Sequence, residues 1–141
     1  MTSTDTYAIS TYFTVEVDGS ALGPWATLQG FGMKIASESR ETGGVGNSMT
    51  QLPGRFSYTN IQLGRPVCSY TTSVVNWLTT FSVLPIPATA EIKSLDSTGK
   101  TIASWSLYGV IPAGWTGPSF DIGGAEVATE TLELAYEGFL A

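Results

Sequence analysis

Residues 28–64 read LQGFGMKIASESRETGGVGNSMTQLPGRFSYTNIQLG and decide most of the fold. We predict two long strands in this stretch, Leu28–Glu38 and Phe56–Gly64, joined by the glycine-rich loop 39–54. The loop contains no nucleophile–base pair and no set of metal ligands. We therefore expect an arm that is held by contacts with another copy of the chain rather than a catalytic loop.

Alternation within the two strands predicts which side of each faces the core. In the first strand Phe31, Met33 and Ile35 share one face, so we expect that face to be buried and the opposite face to be small and wet. In the second strand the apolar residues change from one face to the other between Tyr58 and Ile61, because these two residues are separated by an odd number of positions. Such a phase change indicates a bulge or a change of environment partway along the strand.

The remaining segments are also β-rich, apart from one short helix. The helix is predicted from an apolar stripe at spacing i, i+3, i+4 and i+7, formed by Val74, Trp77, Leu78 and Phe81. Alternating patterns predict further strands at Tyr12–Val17, Thr89–Leu95, Lys100–Tyr108 and Val127–Phe139. We read the proline- and glycine-rich segment 110–124 as an irregular connection. The prediction is a mainly β, single-domain barrel or sandwich of six to seven strands with one short α-helix.

The composition fits one domain over residues 1–141 and an unusual surface. Only 13% of the residues are charged, although 43% are hydrophobic, and the net charge is −6. About 25% charged residues is usual for soluble domains. Either much of the exterior is covered by partners, or the surface is polar but uncharged. The acidic balance argues against sequence-specific binding of nucleic acid.

The residues needed for common catalytic sites are missing from the sequence. The chain has no histidine and one cysteine, Cys68, which argues against Ser-His and Cys-His pairs and against a zinc site. The glycines of the loop do not form a phosphate-binding motif, because no Gly-Lys-Ser/Thr follows and Met49 stands where a dinucleotide fingerprint needs glycine. We expect no enzyme activity and no cofactor.

Several blocks, in this order, resemble one known family. They are FTVEVDG at 13–19, LQGFGMKIASE at 28–38, NIQLGRPV at 60–67, VNWL at 75–78, the hairpin IKSLDSTGKTIASWSL at 92–107, IPAGWTGPSF at 111–120 and EVATETLELAYEGF at 126–139. Together they resemble the inner tail-tube proteins of contractile phage tails and related extracellular injection particles. The sequence departs from the family pattern at Pro66, where glycine is frequent, and at Tyr136, where histidine is common.

The resemblance implies a structural subunit of a hollow tube. Six copies would form a ring in which the strands join into one continuous barrel, and rings would stack into a tube. The implied partners are a sheath protein around the tube, baseplate or hub and terminator proteins at its ends, and cargo in the lumen. The particle would be a phage tail, a phage-derived bacteriocin or an extracellular injection system.

Two groups of residues are predicted to serve this assembly. The first would contact the next ring and consists of loop residues Arg40, Glu41, Gly43, Gly44, Gly46, Asn47 and Met49. The second lies opposite the apolar strand faces and would line the lumen: Lys34, Glu38, Ser57, Thr59, Ser104, Ser106, Thr131 and Glu133. The helix stripe would pack on the core.

Two further expectations complete the prediction. The N-terminal residues show no secretory signal pattern and no apolar run approaches the length of a membrane helix, so we expect synthesis in the cytoplasm and assembly into a tail or a lysis-released particle. The competing hypothesis is a monomeric small β-barrel ligand-binding module, with Trp25 and Trp115 in loops at the mouth of its ligand site.

Overall fold

The computed structural model describes residues 12–41, 49–118 and 128–140, with the backbone alone described in 38–41 and 49–53. These residues form ten strands and one helix: β1 (Tyr12–Val17), β2 (Ser20–Trp25), β3 (Thr27–Gln29), β4 (Gly32–Glu41), β5 (Met49–Thr59), β6 (Ile61–Pro66), α1 (Thr71–Val83), β7 (Ala88–Leu95), β8 (Thr101–Thr116), β9 (Thr129–Ala135) and β10 (Gly138–Phe139). The predicted mainly β class with one helix is confirmed.

The main sheet curls around one core. Its strand order is β2-β1-β7-β8-β9-β6-β3, with β10 added beside β8, and every pairing in it is antiparallel. The two ends of this path, β2 and β3, are separated only by Ala26, whose N–H donates to the carbonyl of Gly64 at 2.9 Å. The ends of the sheet therefore meet. This is the curvature expected for a small barrel.

The core inside this curled sheet is aliphatic, with aromatic rings at its margins. Fully buried members come from both halves of the sheet and from the helix: Val15, Leu22, Ile61, Leu63, Val74, Ile92, Leu107, Val110, Leu132 and Leu134. Of the predicted helix stripe, Val74 is buried, Trp77 and Leu78 pack against the core at its edge, and Phe81 is half-buried.

Strand β8 runs much further than the sequence predicts. Residues 101–110 pair with β7 and residues 111–116 with β9, and Gly109, close to this change of partner, has a φ of +63°. We predicted an irregular connection over residues 110–124, and that prediction is wrong for residues 110–116. Pro112 is accommodated because the ladder shifts register between Pro112 and Gly114, where a missing N–H is tolerated.

Three of the predicted strands are each split in two. The strand Leu28–Glu38 is β3 and β4, interrupted at Gly30–Phe31, and Phe56–Gly64 belongs to β5 and β6, interrupted at Asn60. Val127–Phe139 contains β9 and β10, with a break after Ala135; Val127 lies outside the described residues. The phase change that we noted between Tyr58 and Ile61 coincides with the break at Asn60.

The predicted loop 39–54 is shorter than expected, because both strands extend into it. Arg40 pairs with Thr50 and Glu41 with Met49, so these three predicted loop residues (Arg40, Glu41 and Met49) lie in the β4–β5 ladder. Pro53 lies within β5, next to a register shift between Ile35 and Ser37, which spares it a ladder bond. The other predicted loop residues, Gly43, Gly44, Gly46 and Asn47, lie outside the described residues.

Gly30 is required where the long hairpin is interrupted. Its φ is +83°, and a Cβ there would lie 2.2 Å from the carbonyl oxygen of Asn60. Gly19 has nearly the same φ, +81°, but a Cβ there would have no atom within 4 Å. Substitutions at the two glycines therefore separate the effect of backbone strain from the effect of a steric clash.

We expect Gly30→Ala to lower the free energy of unfolding by about 2 kcal/mol more than Gly19→Ala does. Gly19→Ala carries only the left-handed backbone penalty, about 1 kcal/mol, whereas Gly30→Ala adds overpacking against backbone. Urea denaturation of the two variants measures the difference. Equal losses would show that the backbone at Asn60 moves aside freely.

Candidate functional site

The pair β4–β5, which we call the ribbon, projects from the main sheet with one apolar face uncovered. Its strands pair only with each other among the described strands. The register places Ile35 opposite Phe56 and Met33 opposite Tyr58, so these side chains share a face. Met33, Ile35 and Phe56 are 45%, 46% and 53% exposed. We predicted that Phe31, Met33 and Ile35 would be buried in the chain's own core. This is wrong for Met33 and Ile35, because the ribbon leaves the body before they can reach the core, whereas Phe31 packs against it.

The opposite face of the ribbon is polar. Lys34 lies across from Ser57, and the Ser57 hydroxyl donates to the Lys34 carbonyl at 3.5 Å. Arg55 and Thr59 follow on the same side, since they alternate with Phe56 and Tyr58. All four side chains are exposed. The ribbon therefore has one apolar face and one polar face.

An aromatic cluster joins the ribbon to the body. Phe31 and Tyr58 come from the ribbon side, and Trp105, Tyr136 and Phe139 come from the body. Ring centroids lie 5.1 Å apart for Phe31–Trp105 and 5.3 Å apart for Tyr58–Tyr136, in tilted arrangements. These separations are in the range preferred by aromatic pairs.

The Tyr136 hydroxyl adds a hydrogen bond to this cluster. It donates to the carbonyl of Gly32, the first residue of β4, at 3.0 Å. Burial raises the pKa of the Tyr136 phenol above its ordinary value of 10.0. The hydroxyl therefore stays protonated, and able to donate, throughout the neutral range.

A buried ion pair lies inside the body, between β6, which follows the ribbon strand β5, and its neighbour β9. The Arg65 Nε atom is 3.2 Å from Glu130 Oε2, and the two side chains are 3% and 0% exposed. Arg65 also donates to the carbonyls of Leu22 and Pro24, and its guanidinium lies 3.8 Å from the centre of the Trp25 ring. The pair thereby connects β6 and β9 to β2.

The Glu130 carboxylate extends the same network to the helix and to β8. It accepts hydrogen bonds from the Thr71 hydroxyl, at the first residue of α1, and from Trp115 Nε1 at 3.2 Å. The residue at the N-cap position of α1, Tyr70, makes no side-chain capping bond. A carboxylate beside the first turn is favourable because of the partial positive charge of a helix N-terminus.

Sequence reasoning missed this pair, although a signal was present. Arg65 has the same parity as Ile61 and Leu63 on β6, and Glu130 has the same parity as Leu132 and Leu134 on β9. Opposite charges on two inward-facing positions predict a buried ion pair when the strands are neighbours. The strand order that makes β6 and β9 neighbours was not known from the sequence.

Residues 9–140 match the model of the T4-like virus tail tube protein gp19. The chain belongs to this tail tube family. It is therefore a structural tube subunit, as the ordered motifs predict. A search of curated proteins finds no match.

Solved structures share the fold of this tail tube subunit. A chain from the PVC sheath-tube complex, an extracellular contractile injection system in its extended state, superposes with a TM-score of 0.78 at 20% identity, covering 99% of this chain and 97% of that one. The cap that terminates the anti-feeding prophage tube gives 0.77 at 18% identity, covering 99% and 93%. Hcp1 from Salmonella typhimurium gives 0.54 at 14% identity, covering 91% and 83%.

The eight predicted lumen residues of the tail tube subunit do not share one strand pair. Lys34, Ser57 and Thr59 lie on the polar face of the ribbon, and the Glu38 side chain is outside the described part. The others lie on the outer side of the curled sheet. Ser104 and Ser106 are in the half of β8 that pairs with β7, whereas Thr131 and Glu133 are in β9 and face away from the core beside β6. The Gln62 amide donates to Glu133 at 3.3 Å.

Trp25 and Trp115 do not form the mouth of a ligand site in the tail tube subunit. Both were expected in loops, but Trp25 ends β2 and is 1% exposed, and Trp115 lies in β8 with its indole N–H bonded to Glu130. The two rings are held in the Arg65–Glu130 network, which explains their positions.

Over the described ranges we find no helix long and apolar enough to cross a membrane.

We expect Arg65→Met to lower the free energy of unfolding by about 3–5 kcal/mol, because it leaves the Glu130 carboxylate buried without its cation. Lys93→Met is the matched control, since Lys93 forms an exposed pair with Glu91 at 3.7 Å and should cost less than about 1 kcal/mol. Denaturant titration measures both. A loss at Arg65 no larger than at Lys93 would contradict the assigned role of the buried pair.

Proposed function

We propose that six copies of this tail tube subunit form a ring and that a neighbouring copy covers the apolar face of each ribbon. The observation that carries this proposal is the exposure of Met33, Ile35 and Phe56 on one face of a paired ladder. Large aliphatic and aromatic side chains that share an exposed face mark interaction surfaces. The outer backbone edges of the ribbon are also available for pairing, which ring closure would satisfy.

The lumen proposal follows from continuity of the chain. The ribbon strand β5 continues into β6 after one residue, and β6 is the neighbour of β9. We therefore propose a wall that combines the polar face of the ribbon (Lys34, Ser57 and Thr59) with Thr131 and Glu133. Glu38, whose side chain lies outside the described residues, remains a predicted member of this wall. Ser104 and Ser106, which were also predicted to line the lumen, lie on a different part of the sheet and complete the wall only if the ring brings that part alongside.

The remaining partners are proposed from the family and the printed descriptions of the similar structures. Those structures include a sheath-tube complex, a tube-terminating cap and a baseplate. We propose that this tube likewise lies inside a sheath, ends at baseplate and terminator proteins and conducts cargo as part of a phage tail or an injection particle. The subunit then works mechanically as one domain, without catalysis.

Ile35→Asp should abolish ring and tube formation while leaving the folded monomer intact, because it puts a charge on a face that is already exposed in the monomer but buried in the ring. Ser57→Asp is the control, since it changes the same ribbon on its polar face. Negative-stain microscopy and analytical ultracentrifugation measure the outcome. Tubes of Ile35→Asp at wild-type yield would refute the proposed coverage of this face.

The loop between the ribbon strands is proposed to contact the next ring. Replacing residues 42–48 by Asn-Gly should preserve the ladder, since Glu41 pairs with Met49 and this dipeptide favours a two-residue hairpin. We expect single rings that no longer stack. Electron micrographs distinguish single rings from tubes, and long tubes of this variant would exclude the loop from stacking.

A further inference from the structure

The way in which the ribbon is attached to the body would allow it to change direction without unfolding. Its two backbone connections pass through Gly30–Phe31 and Asn60, and the ladder bonds of β4 and β5 are made within the ribbon. Rotation at these connections would break no bond of that ladder. What opposes such rotation must come from contacts at the root of the ribbon.

The contacts at the root are the aromatic cluster and one directed hydrogen bond. Phe31 packs on Trp105 from the body, and Tyr58 packs on Tyr136 and, edge-on at 5.7 Å, on Phe139. Aromatic stacking alone allows rings to slide, because tilted pairs tolerate a range of geometries. The bond from the Tyr136 hydroxyl to the Gly32 carbonyl is directional and reaches the first residue of β4.

Small rotations at this root have large effects at the tip. The strand β4 has 10 residues and is therefore about 33 Å long at about 3.3 Å per residue. A rotation of about 10° at the root would move the tip by about 6 Å, more than the ~4.8 Å spacing between neighbouring strands. A ribbon misdirected by this amount would meet a neighbouring copy out of register.

We propose that Tyr136 is a positioning residue whose hydroxyl sets the direction of the ribbon for assembly. It holds Gly32 against the body, while the rings of Phe31 and Tyr58 pack on the body beside this bond. Its own position is fixed because Tyr136 is 93% buried between β9 and β10, with Phe139 against it at 5.8 Å. The inference rests on the proposed function as a ring-forming subunit.

The test compares Tyr136→Phe with Tyr58→Phe. Both variants remove one phenol oxygen from the same cluster, but only Tyr136 donates to the ribbon backbone in the described structure. The direction of the ribbon is measured as the distance between a spin label on the ribbon at Ser37 and one on the body at Lys100, both exposed, in a Cys68→Ser background. The measurement is made at protein concentrations below those at which rings form. In Tyr136→Phe we expect the distance distribution to be at least about twofold wider than in the wild type, whereas Tyr58→Phe keeps the wild-type width.

Assembly is measured separately on the same proteins. Tyr136→Phe should require at least about fivefold more protein to form rings, whereas Tyr58→Phe should match the wild type. Phe31→Leu, which loosens the cluster from the ribbon side, should reproduce both effects of Tyr136→Phe. It keeps the proposal testable if Tyr136→Phe fails to fold.

Each outcome has a distinct meaning. Equal distance distributions and equal assembly in Tyr136→Phe and Tyr58→Phe would overturn the positioning role. A wider distribution with unchanged assembly would overturn the link between direction and ring formation. If the wild type forms no rings at any concentration, the proposed function fails, whereas the distance comparison still decides whether Tyr136 sets the direction of the ribbon.

Discussion

The interruption of the long hairpin at Gly30 and Asn60 is the constraint on which the rest of the structure depends. A Cβ at Gly30 would lie 2.2 Å from the Asn60 carbonyl oxygen, so the two strands can pass this point only with glycine there. On one side of the interruption β3 and β6 belong to the curled sheet, with Leu63 fully buried. On the other side the ribbon carries Phe56 into solvent. One hairpin thus supplies both an element of the core and a projecting arm.

The body that carries this arm is held together partly by a buried network of charged and polar side chains. Arg65 and Glu130 are fully desolvated, and their bonds reach β2, β8 and the first turn of α1. A buried ion pair is weak evidence for added stability, because desolvation offsets much of its attraction. Its geometry nevertheless requires that β6, β9 and the helix take one arrangement, since any other would leave a charge buried without its partner.

The two faces of the ribbon give one pair of strands two surfaces of different chemistry. The apolar face offers the non-directional attraction needed for association, and the polar face remains suited to water. Identical copies that associate through unlike surfaces form closed rings or growing filaments, according to the rotation between neighbours. Membership of the tail tube family makes this chain a structural tube subunit. Under the assembly proposed above, the direction of the ribbon matters as much as its composition.

Alternation and the ordered motifs were sufficient to predict the class, the helix over Val74–Phe81, the phase change before Ile61 and the family, because each depends on neighbours in the sequence. They also placed Met33 and Ile35 correctly on one face. Whether that face would meet the chain's own core depends on where the ribbon leaves the body, which only the tertiary structure decides. The Arg65–Glu130 pair was likewise determined by strand order, since residues 65 apart meet only when β6 and β9 become neighbours. Periodicity specifies which side of a strand is apolar, but the packing of distant strands decides what that side contacts.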